Sequence, residues 1–304
     1  MVDLRDGNVA HAVIVVAAFR KNGADLRLSA PLPLGWDGPV GDLLLLLSIG
    51  ALSGVTTVLF GFGGGFVTVP VVLWVDASLG APAPTVAVAT SSVVMVINAA
   101  VATLATRRQV LTRLRPAIPL LALLAVGGAI GALLARVAPS PVITWGFISY
   151  LVVTIADVTV RKGFVQPTRQ TAAAADRFEI RSGLGAPIGA VASFLGVGGS
   201  VMTVPLLRRA GLDMRTVTSL ANPLTLAISL PACIVFLLGN PVGDLAGAAL
   251  VGAVDLRAAA LLLAGGLPVI VLLRRRPPAV SDRAHAVGYI VLLCLVLGAM
   301  VRTV

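Results

Sequence analysis

Charge is scarce in this chain. Asp, Glu, Lys and Arg supply 12% of its 304 residues, against about a quarter in soluble domains. With 58% hydrophobic residues and a mean hydropathy of +1.00, that shortage excludes a soluble globular protein and implies an integral membrane protein. Cysteine is almost absent. Cys233 and Cys294 both lie in apolar runs, which excludes a disulfide framework of the secreted kind and favours buried, inert thiols over a redox or metal pair. There are two histidines, His11 and His285, and no cluster of carboxylates, His or Cys inside the apolar runs of the sort a metal site needs. No G-x-x-x-x-G-K-(S/T) segment is present, so no ATP site is expected, and neither a cofactor nor an enzymatic activity is indicated. The formal charge of +10 comes from residues dispersed through short loops. They read as topology signals, not as a nucleic-acid surface.

Long apolar runs are abundant. Segments able to cross a bilayer, which takes about 20 residues, occur at 40–60, 86–106, 116–135, 141–160, 214–238, 256–273 and 284–301. One further stretch, 183–207, is divided by its glycines into pieces of about 13 and 8 residues. Residues 1–39 read as an interfacial or disordered tail, or as the product of a start codon placed too early. The apolar stretch Val9 to Phe19 is too short to span, and Arg20 and Lys21 stand where a cleavable signal wants small neutral residues.

The glycines carry the strongest pattern. Gly61 to Val72 (GFGGGFVTVPVV) recurs 135 positions later at Gly196 to Leu207 (GVGGSVMTVPLL), with six of twelve positions identical. Thr90 and Ser91 follow the first copy as Thr218 and Ser219 follow the second. Farther on, Gly127 and Gly128 match Gly265 and Gly266, and the same offset aligns Arg136 with Arg274 and Pro139 with Pro277. Each half is thus a glycine hairpin, a Thr-Ser helix and a two-helix unit. The expected division is a tail at 1–39, a first transmembrane repeat at 40–160, a polar linker at 161–182 and a second repeat at 183–304.

Basic residues suggest how the halves are inserted. If both glycine breaks return the chain to the side it entered from, 16 basic residues of the connecting loops fall on one side and 3, namely Arg136, Arg257 and Arg302, on the other. Plain crossings would leave hardly any bias. On this reading the second half is upside down relative to the first, and the fold is an all-α polytopic membrane protein of two inverted-topology repeats. Each repeat holds a Gly-rich broken or re-entrant helix, and the chain makes six to eight crossings. Val40 to Phe60 has no equally long partner ahead of the second break.

The motif G-x-G-G-(G/S)-x-x-x-x-P in both halves, the Thr-Ser pair after each, and Val254 to Arg257 ahead of a Gly-Gly helix resemble the sulfite exporter TauE/SafE family of membrane permeases over about residues 40–302. The resemblance implies an inverted-repeat fold and the export or uptake of small sulfur-containing anions such as sulfite or sulfonates. Ser200 stands where a third glycine is common in that family, and Asn222 and Pro223 follow the second Thr-Ser pair, so the substrate can differ from that of other members.

The residues themselves suit an anion. Glycines that interrupt a helix cost roughly 1 kcal/mol each relative to Ala, and the short helix that follows presents unpaired N–H groups and its positive dipole end to the gap. Two such breaks meeting at membrane depth would line a polar site. The candidate ligands are Gly63, Gly64, Gly65 and Thr68; Thr90, Ser91 and Ser92; Gly198, Gly199, Ser200 and Thr203; and Thr218, Ser219 and Asn222. The competing uses are ordinary ones. Glycines also allow close helix packing, the favoured reading for Gly127, Gly128, Gly265 and Gly266, and Ser/Thr hydroxyls also bond back to their own helix. Asp157 could couple transport to protons, although a plain ion pair with Arg161, four residues on, is favoured. His11 and His285 read as interfacial, and Trp36, Trp74 and Trp145 as belt residues. The function expected is a secondary transporter of small anions by alternating access in the inner (plasma) membrane. Its partners would be the anion, the lipid bilayer and, as a homodimer, a second copy of the chain. The alternatives are a cation or metal permease and an intramembrane hydrolase using Ser200 and His285.

Overall fold

The computed structural model describes residues 39–106, 108–161, 164, 182–209, 212–239, 250–276 and 278–303. The tail with His11 and Trp36, and most of the polar linker, lie outside the described residues. Among those described are eleven helices: α1 (Pro39–Phe60), α2 (Gly65–Val75), α3 (Ala83–Leu104), α4 (Arg108–Leu111), α5 (Ile118–Val137), α6 (Ser140–Val160), α7 (Gly185–Leu195), α8 (Ser200–Arg209), α9 (Met214–Leu238), α10 (Leu256–Arg275) and α11 (Asp282–Val301). Between α9 and α10 sits a two-stranded antiparallel hairpin, β1 (Leu250–Val251) with β2 (Val254–Asp255), in which Leu250 pairs with Asp255.

Seven helices are long and apolar enough to cross a membrane, within the six to eight crossings expected. The remaining apolar helices are short. At 1.5 Å per residue, the 11 residues of α2, the 11 of α7 and the 10 of α8 reach about half of a ~30 Å hydrocarbon core. Several starts are fixed by side chains that accept from an otherwise unpaired N–H: Asp213 from Thr216 (3.0 Å), Asp255 from Ala258 (3.0 Å) and Ser281 from Ala284 (3.3 Å). Trp74 and Trp145 are exposed on the outer surface.

Packing follows one rule: the largest helix seams have counterparts when the two halves are exchanged. Helix α5 lies along α7, and α10 along α1; α5 meets α9, and α10 meets α3; α2 packs on α3, and α8 on α9. Helices α3 and α9 pack on each other, as do α6 and α11. The halves are therefore interlocked, because the opening helix of each is held by the penultimate helix of the other. Small residues allow the approach. A Cβ on Gly54 of α1 would lie 2.5 Å from the carbonyl oxygen of Gly266 on α10, and one on Gly50 would run into Leu262. In the other seam, Gly127 and Gly131 of α5 run against Ala186 and Ala190 of α7, and Gly189 of α7 against Leu124. Gly50 and Gly54 stand 135 positions before Gly185 and Gly189, so the duplication begins ahead of the glycine clusters.

The two ends of the bundle differ in charge. At one end Arg209 pairs with Asp157, which also pairs with Arg161 at 3.3 Å, and Arg215 donates to the carbonyl of Pro278. Arg208 is fully buried there. It donates to the carbonyls of Phe164 (2.8 Å) and Leu212 (3.1 Å) and pairs with Asp282, so no part of its charge is left unmatched. At the other end Thr85 bonds the carbonyl of Ala135 and Ser140 that of Ala81, while the amide of Asp255 donates to the hydroxyl of Thr90 (2.9 Å).

Candidate functional site

Helix α1 stops at Phe60 because Gly61 (φ 74°), Gly63 (φ 65°) and Gly64 (φ 89°) take left-handed conformations; α7 stops at Leu195 with Gly196 (φ 67°) and Gly198 (φ 69°) doing the same. Such angles cost an L side chain about 1–2 kcal/mol each. The chain then restarts as α2 and α8, whose first N–H groups have no partner within their own helix. The two breaks touch: a Cβ on Gly65 would lie 2.9 Å from the carbonyl oxygen of Gly196, and one on Gly198 would lie 3.2 Å from that of Phe62. Both are buried throughout, as a polar backbone at membrane depth requires.

Each break is strapped by the other half. The Ser91 hydroxyl on α3 is shared between the carbonyls of Val88 (2.7 Å) and Gly196 (3.3 Å), and the Thr225 hydroxyl on α9 donates to that of Gly61 (3.3 Å). The Met95 side chain lies between the breaks, against both Gly65 and Gly198. Beside the first break, Asn98 Nδ2 donates to Ser53 Oγ (3.3 Å), and this amide would sit 2.9 Å from a Cβ on Gly64.

Of the candidates named from sequence, Gly63, Gly64, Gly65, Ser91, Gly198 and Gly199 are brought to the junction or its edge. Ser200 and Thr203, in the first turn of α8, are buried with hydroxyls that have no partner, whereas the Thr68 hydroxyl bonds the carbonyl of Gly65 (3.0 Å). Asn222 is fully buried; its Nδ2 donates to the carbonyl of Thr218 (3.1 Å) and its Oδ1 is unpartnered. The rest are used elsewhere. Thr90 holds the hairpin, and Ser92 bonds the carbonyl of Ala89. Thr218 and Ser219 both bond that of Arg215, Ser219 from a partly exposed position. Asp157 lies at the far end of α8, tied to Arg161 and Arg209. Ser200 and His285 form no dyad: the His285 ring meets the carbonyl of Leu59.

The Thr-Ser correspondence is out of register by two residues. Gly61 faces Thr218 and Ala221 as Gly196 faces Val88 and Ser91; Gly63 and Gly198 both meet Met95 and Thr225; Gly64 meets Asn98 as Gly199 meets Ile228. These pairs set an offset of 130 between α3 and α9, where matching Thr90 to Thr218 sets 128. Sequence reading missed Ser53, Met95, Asn98 and Thr225. A single amide in the apolar run of α3 was the available signal for Asn98, since polar residues inside spans are costly and functional by default.

Interlocked membrane-spanning helices, with two broken helices in contact at their centre, define a class: polytopic membrane transporters that work through discontinuous helices. Within it, the family model of the sulfite exporter TauE/SafE matches residues 46–300, and the chain belongs to that family of membrane permeases. No curated protein and no solved structure matches the chain.

Proposed function

We propose that the protein is a secondary permease of the inner (plasma) membrane that moves small sulfur-containing oxyanions, such as sulfite or sulfonates, by alternating access. The observation that carries this reading is the contact between the two glycine breaks. Two helix N-termini, those of α2 and α8, open beside each other within the core, and each is equivalent to roughly half a positive charge. Unpartnered hydroxyls at Ser200 and Thr203, and the second N–H of the Asn222 amide whose first bonds the carbonyl of Thr218, add donors that bind an oxyanion without a formal cation. The candidate ligands remain Gly63, Gly64, Gly65, Ser91, Gly198, Gly199, Ser200, Thr203 and Asn222.

Two inverted repeats suit this mechanism, since each half can adopt the conformation of the other. Support comes from the segment ends. Helix α2 returns to the end of the bundle where Asp76 is near Asp255, while α8 returns to the end where Arg209 meets Asp157. The second of these ends also holds the described part of the basic excess, which favours placing it in the cytoplasm. The decisive assay is flux and thermal stabilisation of the purified protein with sulfite, sulfate, thiosulfate, sulfonates and carboxylates. Stabilisation by one or more of the sulfur oxyanions is expected; stabilisation by a divalent metal and by none of the anions would refute the reading in favour of a cation permease.

A further inference from the structure

We infer that Asn98, braced by Ser53, is the side chain that reads the charge of the ligand, and that the junction takes singly charged oxyanions in preference to dianions. The inference rests on the anion-permease reading above and deepens it. Asn98 is fully buried on α3, borders the N-cap of α2 at Gly64 and also lies beside Gly266 of α10. Its Nδ2 donates to Ser53 Oγ at 3.3 Å, and its Oδ1 has no partner. Oxygen and nitrogen of such an amide are exchangeable by a half-turn. After that turn the Ser53 hydroxyl donates to Oδ1, and the NH₂ group is the one left over. In either orientation one polar atom is unspent at a helix N-terminus. As NH₂ it donates to an oxyanion oxygen; as C=O it accepts the proton of a singly protonated oxyanion. The NH₂ orientation suits a monoanion without a proton, such as a sulfonate, and the C=O orientation one that carries a proton.

The electrostatics point the same way. Two helix N-termini, at about half a positive charge each, match one negative charge. A second negative charge would find no Lys or Arg on the helices that carry Asn98 and the first break. Residues 43–104 contain no Lys or Arg, and Arg208 and Arg209, at the far end of α8, are already paired with Asp282 and Asp157. Burying a charge without a counter-ion is costly, and the cost grows with the square of the charge.

The test compares methanesulfonate, a permanent monoanion, with sulfate, a dianion, by calorimetry on the purified full chain at one pH. Wild type is expected to bind methanesulfonate at least about ten-fold more tightly. Asn98→Ala is expected to weaken methanesulfonate by roughly ten-fold, the typical loss of one hydrogen bond to a charged group, and to narrow the ratio between the two anions. Asn98→Asp is expected to abolish binding of both. If Asn98 only fastens α3 to α1, Asn98→Ala will lower Tm yet keep affinity and ratio, and the inference fails. It also fails if wild type binds sulfate as tightly as methanesulfonate, a result that needs no variant to fold. Wild type binding neither anion, nor any of the anions of the wider screen, overturns the permease reading and this inference together.

Discussion

The two glycine breaks share left-handed turns at two equivalent glycines and little else. Gly61 and Gly196, and Gly63 and Gly198, take the same left-handed angles at equivalent positions. The side chains around them have diverged. Phe60, Phe62 and Phe66 flank the first break in a chain of ring contacts, 5.7 Å from Phe60 to Phe62 and 5.0 Å from Phe62 to Phe66; Leu195, Val197 and Val201 stand at the equivalent positions of the second. The polar pair Asn98 and Ser53 beside the first break is replaced by Ile228 and Ile188 at the corresponding positions of the second half. In return, the second break has the unpartnered Ser200 hydroxyl where the first has Gly65. The shared backbone can perform the part of the work common to both halves, presenting N–H groups, while the unlike side chains make the site lopsided.

The largest test of that contrast uses one substitution at matched positions. A Cβ on Gly64 would strike Ser53 Oγ and approach the Asn98 amide, at a φ of +89°. A Cβ on Gly199 would meet only the Ile228 side chain, whose tip can move, and its φ is not positive. Gly64→Ala is therefore expected to cost about 3–5 kcal/mol, from the left-handed angle together with overpacking, and to abolish transport. Gly199→Ala should cost about 1–2 kcal/mol and leave a folded protein. Thermal unfolding of the two variants in the same detergent checks this; equal losses would mean that the two breaks are equally constrained.

That asymmetry was only partly legible in the sequence. The spans could be read because about 20 apolar residues in a row have few alternatives, and the short helices α2 and α8 because glycine and proline punctuate them at Gly64, Pro70, Gly199 and Pro205. The duplication identified the breaks as a pair. It misled at the next step, because the connections from Pro70 to Thr90 and from Pro205 to Thr218 differ in length, and similar dipeptides were matched where facing residues are two apart. Asn98, Ser53 and Met95 escaped notice for the opposite reason: they have no like residue in the other half, so a search for repeats passes over them. The packing glycines Gly50, Gly54, Gly185 and Gly189 look in sequence like ordinary small residues of a span, and only the facing helix shows that their carbonyl neighbours leave no room for a methyl group.

A medium-sized effect is expected where α11 and its counterpart α6 meet the two breaks unequally. Pro205 has no N–H to offer the carbonyl of Val201, and the Tyr289 hydroxyl takes its place at 3.0 Å. At the corresponding position of the first half, α6 carries Leu151, which has no hydroxyl, and Phe147, stacked on Phe66 at 6.1 Å, supplies packing only. Tyr289→Phe leaves a buried carbonyl without a donor and should cost about 1–3 kcal/mol, whereas Leu151→Ile, nearly equal in volume, should cost under ~1.5 kcal/mol. A Tyr289→Phe protein as stable as wild type would show that the hydroxyl does not hold the second break.

The smallest effect concerns how the two returning helices end. Helix α8 closes on Arg208 and Arg209, cations at the negative end of the helix dipole, which is favourable. Helix α2 closes on Asp76, an anion in the same unfavourable position. Burial, and then the nearby Asp255, push its carboxyl from the ordinary 3.8 up to about 6, and its Oδ2 has no hydrogen-bond partner. No ionisable residue lies on α2, on α3 or in the turn between them besides Asp76 itself; the other charged group that acts on it is Asp255, with Arg257 next along α10. Because the folded pKa is the higher one, the native state binds the proton more tightly than the unfolded chain. Stability from this group is then fully present below about pH 4 and is lost as pH rises through about 6. Asp76→Asn removes that loss, so it should raise Tm at pH 8 by about 2 °C, a small shift because the carboxyl is only half-buried and solvent screens it. The gain should vanish near pH 4, where Asp76 is already neutral. A lower Tm at pH 8 would mean that the ionised carboxylate is held by a favourable partner, and the contrast between an acidic and a basic helix end would lose its energetic meaning.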